Sequence, residues 1–160
     1  MTSLRRAGGP ASAAILLVAL LAACGGAPPA PQGNAAQEPA VLQAGDLTVR
    51  ASAVPSSLLG EAAARQYGVE RDPRNVLLVV GLRRGQGDAE ASLPARVDAR
   101  ATDLLGRGQP LALREVRSDG FIDYVGVARI SPPETVRFDV RVEADGAAPL
   151  ELRFSRDFFR

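Results

Sequence analysis

Carboxylate pairs are the side chains of this sequence that could do acid–base chemistry. Asp98 with Asp103, and Asp119 with Asp123, each place two acids close together in the chain. A glycosidase needs two such carboxyls about 5 to 9 Å apart, one of them with a raised pKa. However, Asp119 begins an Asp-Gly turn signal, and Asp98 alternates with apolar neighbours as an exposed strand residue does. Structural roles are therefore favoured for both pairs.

The remaining catalytic repertoire is small. The 160 residues include no His, and all 19 basic residues are Arg, so an imidazole base, a Schiff-base amine and a Ser-His triad are excluded. No Asp-rich loop has the spacing of a calcium site. Gly85-Gln86-Gly87 follows a predicted strand but precedes no helix, which favours a hairpin turn over a phosphate cradle. We expect no catalytic residue, no cofactor site, no metal site and no enzymatic activity.

Arginine clusters are the other charged feature. The formal net charge of +1 argues against a nucleic-acid partner, because phosphate neutralisation needs a basic excess. Guanidinium groups bind anionic oxygens bidentately, so two clusters could hold lipid phosphate, lipopolysaccharide or an acidic polymer. They are Arg71, Arg74, Arg83 and Arg84, and separately Arg114 and Arg117. The favoured interpretation is that they lie on solvated strand faces among the 18 acidic residues.

The N-terminus has the order of a targeting segment. Arg5 and Arg6 precede an uncharged apolar run, Ala11 to Ala23, which Cys24 closes. At about 1.5 Å per residue this run is too short to span roughly 30 Å of hydrocarbon, so residues 1–23 are predicted to be a signal peptide.

The residues around Cys24 specify the kind of signal peptide. Leu21-Ala22-Ala23-Cys24 resembles the lipobox of bacterial lipoproteins. The resemblance implies cleavage before Cys24, acylation of its thiol as the lipid attachment site, and a triacylated membrane anchor. Gly25 in the next position favours the outer membrane, with the protein facing the periplasm. The alternative is a buried thiol in a chain cut elsewhere.

Residues 24–44 are predicted to be the lipidated Cys and a disordered tether. Gly25 to Gln43 are mostly Gly, Ala, Pro, Gln and Asn, with one charge, so they bury too little apolar surface to offset the entropy of ordering. Residues 45–160 follow as the folded domain.

A period of two dominates this domain, as is typical of half-buried strands. In Thr135 to Glu143 every second residue is apolar, and Asp119-Gly120 and Asp145-Gly146 are hairpin-turn signals. One short helix is predicted near residues 61–67, ended by Gly68 and with Tyr67 packed into the sheet core. The fold class is therefore all-β, an antiparallel immunoglobulin-like sandwich of about seven strands with one short helix.

The end of the chain is apolar. Phe154, Phe158 and Phe159 could complete the core or form an exposed patch for a partner. The core is favoured, because Phe154 continues the alternation of the last predicted strand.

A series of short motifs runs along residues 47–160. They are Ala64-Arg65-Gln66-Tyr67-Gly68-Val69 with Arg71, Asn75-Val76, Ala101-Thr102-Asp103-Leu104-Leu105-Gly106, Pro110-Leu111 with Arg114-Glu115, Tyr124 with Gly126, and Phe154-Ser155-Arg156-Asp157-Phe158-Phe159. Their order resembles a domain-of-unknown-function family of proteobacterial periplasmic lipoproteins. That resemblance implies a β-sandwich with an uncharacterised role. The chain has Arg50-Ala51-Ser52 where the family is expected to carry His, Tyr and Asn, so any activity that needs this imidazole is absent.

We therefore expect a membrane-anchored periplasmic lipoprotein that acts as a non-enzymatic protein-interaction or structural module of the cell envelope. Its partners are the membrane, through the lipid anchor, and another envelope protein. The alternative is a binding module for an envelope small molecule, anionic lipid or polysaccharide.

Overall fold

The structure is a computed structural model that describes residues 38–159. The predicted signal peptide, Cys24 and most of the predicted tether lie outside the described residues. Within residues 38–159 no helix has the length and apolar character needed to cross a membrane.

The described chain forms ten strands, one α-helix and two 3-10 turns. The strands are β1 (Ala40–Ala44), β2 (Leu47–Pro55), β3 (Asn75–Arg84), β4 (Ala91–Ser92), β5 (Arg96–Asp103), β6 (Gly108–Leu111), β7 (Arg114–Ser118), β8 (Phe121–Arg129), β9 (Glu134–Glu143) and β10 (Leu150–Phe158). Helix α1 spans Glu61–Gln66, and the 3-10 turns span Ser56–Leu58 and Gly87–Ala89. The seven predicted strands correspond to β2, β3, β5, β7, β8, β9 and β10. The structure adds β1, β4 and β6, which have five residues or fewer and are too short to give a clear periodic signal in the sequence.

Two antiparallel sheets contain these strands. Sheet 1 has the order β1-β2-β3-β8-β7, with β4 paired to the end of β3, and sheet 2 has the order β10-β9-β5-β6. Strands β2-β3-β8-β7 and β10-β9-β5-β6 match the A-B-E-D and G-F-C-C′ orders of immunoglobulin domains. The predicted all-β, immunoglobulin-like sandwich is confirmed.

The core lies between the two sheets and is built from alternate residues of each strand. In β9 the inward side chains are Val136, Phe138, Val140 and Val142, all at most 3% exposed. The rings of Phe138 and Phe154 stack with centroids 5.2 Å apart, and Phe158 meets Phe138 edge-on at 6.5 Å. Such aromatic pairs stabilise a core beyond their buried area.

The C-terminal phenylalanines divide between the two predicted roles. Phe154 and Phe158 are buried, which confirms the core prediction for them, whereas Phe159 is 76% exposed. The strand period explains this, because Phe158 faces inward as the last residue of β10 and Phe159 follows the end of the strand.

The predicted tether is wrong in its last five residues. Ala40–Ala44 form β1 and pair with β2 in the register Ala40↔Ala51 to Ala44↔Leu47. Gly45, at a φ of 63°, allows the tight turn between the two strands. Leu42 is half-buried against the core. A few apolar residues are enough to form a strand here, because β2 supplies the hydrogen-bond partners for the backbone of β1.

Helix α1 ends as predicted, but the residues after it pack on a different surface. Gly68 has a φ of 53°, and the N–H of Val69 donates to Ala64 O at 2.9 Å, as in a Schellman motif. Tyr67 and Val69 line a groove over the outward face of sheet 1 together with Leu77 and Val125. The placement of Tyr67 in the sheet core was therefore wrong.

This outward face carries a second apolar layer. Leu77 and Val125 point away from the space between the sheets, yet they are only 1% and 2% exposed. Burial of these side chains gives the short helix and the turn after it an apolar surface to pack on, because a six-residue helix is not stable alone.

Candidate functional site

The predicted carboxylate pairs do not come together. Asp98 is 60% exposed and pairs with Arg96 at 3.4 Å, whereas Asp103 ends the same strand and bonds Arg107. Five residues of strand separate these two acids by roughly 16 Å. Asp119, at a φ of 50°, lies in the β7–β8 turn.

Asp123 forms an ion pair with an arginine from the neighbouring strand β3. Arg83 donates to Asp123 Oδ1 at 2.8 Å and to Ile122 O at 2.9 Å, and its side chain is only 12% exposed. The Arg83 guanidinium also lies 5.0 Å from the centre of the Phe121 ring. These contacts fix Asp123 as an ion-pair partner of Arg83 in sheet 1 and keep its carboxylate engaged with that arginine.

Asp103 organises the turn between β5 and β6. Its Oδ1 accepts the backbone N–H of Leu105 at 2.9 Å and of Arg107 at 2.8 Å, and its Oδ2 accepts Arg107 Nε at 2.5 Å. Partial burial raises the pKa of Asp103, but the hydrogen bonds from Arg107 outweigh it and hold that pKa below its usual range. Asp103 is therefore charged and fully engaged at neutral pH.

The arginine clusters are dispersed over the surface. Four of the six guanidinium groups pair with carboxylates, Arg74 with Asp72, Arg83 with Asp123, Arg84 with Asp46 and Arg117 with Glu115. Arg71 donates to Ser57 O and Arg114 to Tyr67 O, so both bind backbone carbonyls. These six residues assemble no cationic patch of the kind that was considered beside the favoured interpretation of solvated faces.

The outward face of sheet 2 is a charged lattice, which we define as the alternating acids and arginines of β5, β9 and β10. Its members are Arg96, Asp98, Arg100, Arg137, Asp139, Arg141, Glu143, Glu151, Arg153 and Asp157. Arg141 pairs with Glu143 at 2.8 Å and with Glu151 at 3.0 Å. Burial raises the pKa of Asp139, but hydrogen bonds from Arg153 and Arg137 outweigh it and lower that pKa. The face is thus charged yet internally compensated.

The three most exposed large apolar side chains of residues 38–159 lie at one end of the sandwich. Leu104, Leu105 and Phe159, which we call the apolar end, are 79%, 80% and 76% exposed. Together with Pro133 they line a groove of about 370 Å³. The sequence reasoning considered Phe159 but missed the two leucines. The signal was the Asp-Leu-Leu-Gly order, which puts two large apolar residues in a polar turn.

Strand β7 is an edge of sheet 1. It pairs with β8 from Arg114↔Val125 to Ser118↔Phe121, and no described residue pairs with its other side. The opposite residue Ile122 donates its N–H to Ser92 Oγ at 3.1 Å, away from β7. In an antiparallel pair, two directly opposed residues either both point their N–H groups at each other or both point them away. Because the N–H of Ile122 points away from β7, the N–H of its opposed residue Arg117 points to the open side of β7.

Two other edges of the described sandwich, β6 and β10, are less open. Strand β6 has four residues, one of them Pro110, and the Gln109 amide bonds both the N–H and the C=O of Arg129. Strand β10 lies beside the start of the described chain, where Arg156 donates to Glu38 O at 2.5 Å. Strand β7 therefore offers an open row of backbone groups.

Tyr124 fixes the inner side of this edge. Its hydroxyl accepts the N–H of Ala95 at 2.7 Å and donates to Glu115 Oε2 at 3.3 Å. Burial raises the pKa of Tyr124, so the phenol stays protonated and keeps both bonds. Glu115 is held inward by Tyr124 and Arg117, which leaves the backbone of β7 as the group available to a partner.

The chain matches one family and several solved structures. The family model described as "Domain of unknown function (DUF4426)" matches residues 41–160. A crystal structure of a DUF4426 family protein from Pseudomonas aeruginosa PAO1 is 30% identical, has a TM-score of 0.64, and aligns over 76% of this chain and 94% of that chain. No curated protein sequence matches.

FetP of uropathogenic Escherichia coli strain F11 shares the fold. A copper-bound variant aligns with a TM-score of 0.53 and 11% identity over 76% of this chain and 96% of that chain. The as-isolated protein, expressed in the periplasm of E. coli, aligns with a TM-score of 0.55 and 11% identity over 76% and 95%.

A copper site of the usual kind has few ligands available here. The sequence has no His, one Met and one Cys, and copper favours imidazole and sulfur ligands. Among residues 38–159 no three Asp or Glu side chains are grouped as a metal site requires. The resemblance to FetP is therefore one of fold.

Proposed function

Since the chain belongs to the DUF4426 family, a family of unknown function, we propose its function from its own surface. It is a non-enzymatic, lipid-anchored module of the cell envelope that faces the periplasm and binds another envelope protein along the edge of β7. The open backbone row of β7 is the observation that carries this proposal.

The hydrogen bonds that arginines donate to the carboxylates support a non-enzymatic role. Asp103, Asp123 and Asp139 each accept hydrogen bonds from a guanidinium, and the pKa values of Asp103 and Asp139 are lowered. A general acid near neutral pH needs the opposite shift. The chain also has no His to serve as a base.

The signal peptide and lipobox resemblance support the location. Arg5, the apolar run and Cys24 have the order that leads to acylation and export, and Gly25 favours the outer membrane. Expression of FetP in the periplasm agrees with a sandwich of this type facing that compartment.

The chemistry of a strand edge defines the partner. Unpaired N–H and C=O groups bind an extended peptide segment by the same hydrogen bonds that join two strands of a sheet. Arg117 and Glu115 bond each other at 2.5 Å, so their charges are compensated and the backbone dominates recognition. The partner is accordingly an envelope protein that presents an extended segment.

The alternative function, binding of an anionic lipid, polysaccharide or small molecule, has less support. It needs convergent free cations or an enclosed pocket. Arg74, Arg84 and Arg117 are paired with acids, and Arg71 and Arg114 bind backbone carbonyls.

A photocrosslinking experiment tests the edge. A photoreactive residue at Val116, the middle of β7, in the full-length lipidated protein is expected to give a discrete protein adduct in the native envelope. The matched position is Asp98, an exposed residue on the outward face of sheet 2. Equal adducts from both positions, or none from Val116, would contradict the proposal.

A backbone variant tests the mode of binding. Arg117→Pro removes an N–H that points to the open side, whereas Arg117→Thr keeps it and loses the same guanidinium. We expect the Val116 adduct to disappear in the proline variant and to persist in the threonine variant, with both showing the circular dichroism of the parent. Loss of the adduct in both variants would assign recognition to the side chain instead.

A further inference from the structure

The apolar end is built as a rigid projection. The Asp103 carboxylate holds the N–H groups of Leu105 and Arg107, and Gly106, at a φ of 81°, donates its N–H to Asp103 O. The backbone of the two leucines is thus ordered by the turn itself. Little backbone entropy is lost when their side chains are buried against a partner.

The start of the described chain lies beside this end. Glu38 O accepts a hydrogen bond from Arg156, which is three residues before Phe159 in the last strand. The chain that leads back to Cys24 therefore leaves the domain next to the apolar end. Residues 25–37 reach at most about 50 Å even when fully extended.

We propose that the apolar end docks on the phospholipid leaflet that carries the Cys24 anchor, with Leu104, Leu105 and Phe159 inserted among the lipid headgroups. The inference rests on the proposed function for its lipid anchor and is independent of the β7 edge. A short covalent connection raises the local lipid concentration, so three apolar side chains are enough for docking.

The charges around the apolar end agree with an apolar mode of docking. Arg107 pairs with Asp103, and Arg74 pairs with Asp72, so each of these positive charges is compensated by a carboxylate. A contact carried by apolar side chains depends little on ionic strength, whereas capture of anionic headgroups weakens steeply with salt. This difference separates the proposal from the predicted alternative of anionic-lipid binding.

A single tryptophan reports docking directly, because the chain has no Trp. Leu105→Trp places the probe in the apolar end. Phe121→Trp is the matched control, since Phe121 is 47% exposed and begins β8, whose other end leads toward Pro133 and the apolar end. The lipidated full-length proteins are reconstituted in vesicles of phosphatidylethanolamine and phosphatidylglycerol, with and without brominated acyl chains.

We expect the Leu105→Trp emission to shift to shorter wavelength and to be quenched by the brominated lipid, equally at low and high salt. The Phe121→Trp emission should show neither effect. Equal quenching of both probes, no quenching of Leu105→Trp, or quenching that disappears at high salt would overturn the proposal.

A second measurement separates docking from the anchor. In Cys24→Ser protein produced without residues 1–23, so that both the lipid site and the apolar signal segment are absent, Leu104→Ser with Leu105→Ser should lower vesicle partitioning by about tenfold or more. Both leucines are exposed, so the fold is retained. If Cys24 proves unmodified in cells, the anchor of the proposed function fails, and partitioning of the Cys24→Ser protein still decides docking. Protein adducts instead of lipid adducts from a photoreactive residue at Leu104 would overturn docking in favour of a protein interface.

Discussion

Asp103 shows how a carboxylate with catalytic potential becomes part of a turn. Two backbone N–H groups and the Arg107 guanidinium converge on it, and its side chain is only 10% exposed. A carboxylate held by three donors orders the loop that it closes. The exposed leucines of the same turn depend on this order.

Replacing Asp103 should destabilise the fold in a pH-dependent way. The pKa of Asp103 is lowered in the folded protein, so its charge stabilises the fold at neutral pH, and that contribution is lost as the pH falls through the lowered value. Asp103→Asn is expected to lower the thermal unfolding midpoint at pH 7, and the difference should narrow as the pH falls below about 4.

Asp98→Asn is the control for this prediction. Asp98 is exposed and its distance to Arg96 is 3.4 Å, so its replacement should change the midpoint less at every pH. A pH-independent deficit of Asp103→Asn would show that geometry, not charge, stabilises the turn.

Single residues were predictable where the signal is local. Asp119-Gly120 has both φ angles positive, 50° and 81°, as the predicted hairpin turn requires. The partners of Asp123 were not predictable, because Arg83 is 40 residues away in the sequence and meets it only after β3 pairs with β8.

At the scale of elements, the connection between β6 and β7 packs directly on β8. A Cβ added to Gly126 would lie 2.8 Å from Leu113 Cδ2 and 3.2 Å from Ala112 O. Gly126 is buried in β8 and therefore has no space for a larger residue. A side chain at this strand position must displace the end of the Leu113 side chain and shift the Ala112 carbonyl by a few tenths of an ångström.

Gly126→Ala is expected to destabilise the protein by about 1 to 3 kcal/mol, because the backbone of the crossover must move. Gly60→Ala is the matched control, since nothing lies within 4 Å of its added Cβ, and it should cost less than about 1 kcal/mol. Urea unfolding of both variants measures the difference. Equal effects would mean that the connection between β6 and β7 moves without a measurable loss in the free energy of unfolding.

Elements with strong periodicity were predicted, and elements that depend on a neighbour were not. Strands β9 and β10 follow the alternation of the sequence closely. Strand β1 was assigned to the tether because its composition resembles the tether, and only pairing with β2 makes it a strand. The helix was predicted from its own residues. The surface on which it packs was not, because Leu77 and Val125 look in the sequence like residues that face the space between the sheets.

At the scale of the molecule, the fold class followed from the strand pattern, but the candidate surfaces did not. Leu104 and Phe159 are 55 residues apart in the sequence and meet because the β5–β6 turn and the end of β10 lie at the same end of sheet 2. The open edge of β7 likewise depends on which strand is last in its sheet. Neither property is local to a sequence window.

The proposed lipid attachment at Cys24 gives a prediction that can be tested in cells. Cys24→Ser is expected to leave an uncut precursor without lipid, because the thiol is the group that is acylated. Metabolic labelling with a fatty acid and the mobility of the protein on a gel measure both effects. Normal processing of this variant would contradict the anchor.

The charged lattice of sheet 2 has a consequence for association kinetics. Five arginines and five acids alternate on this face, so their fields cancel within a few ångströms of the surface. Charged molecules diffusing nearby are therefore neither attracted nor repelled from a distance, and no electrostatic steering accelerates encounters. Productive collisions with this face are limited by orientation alone.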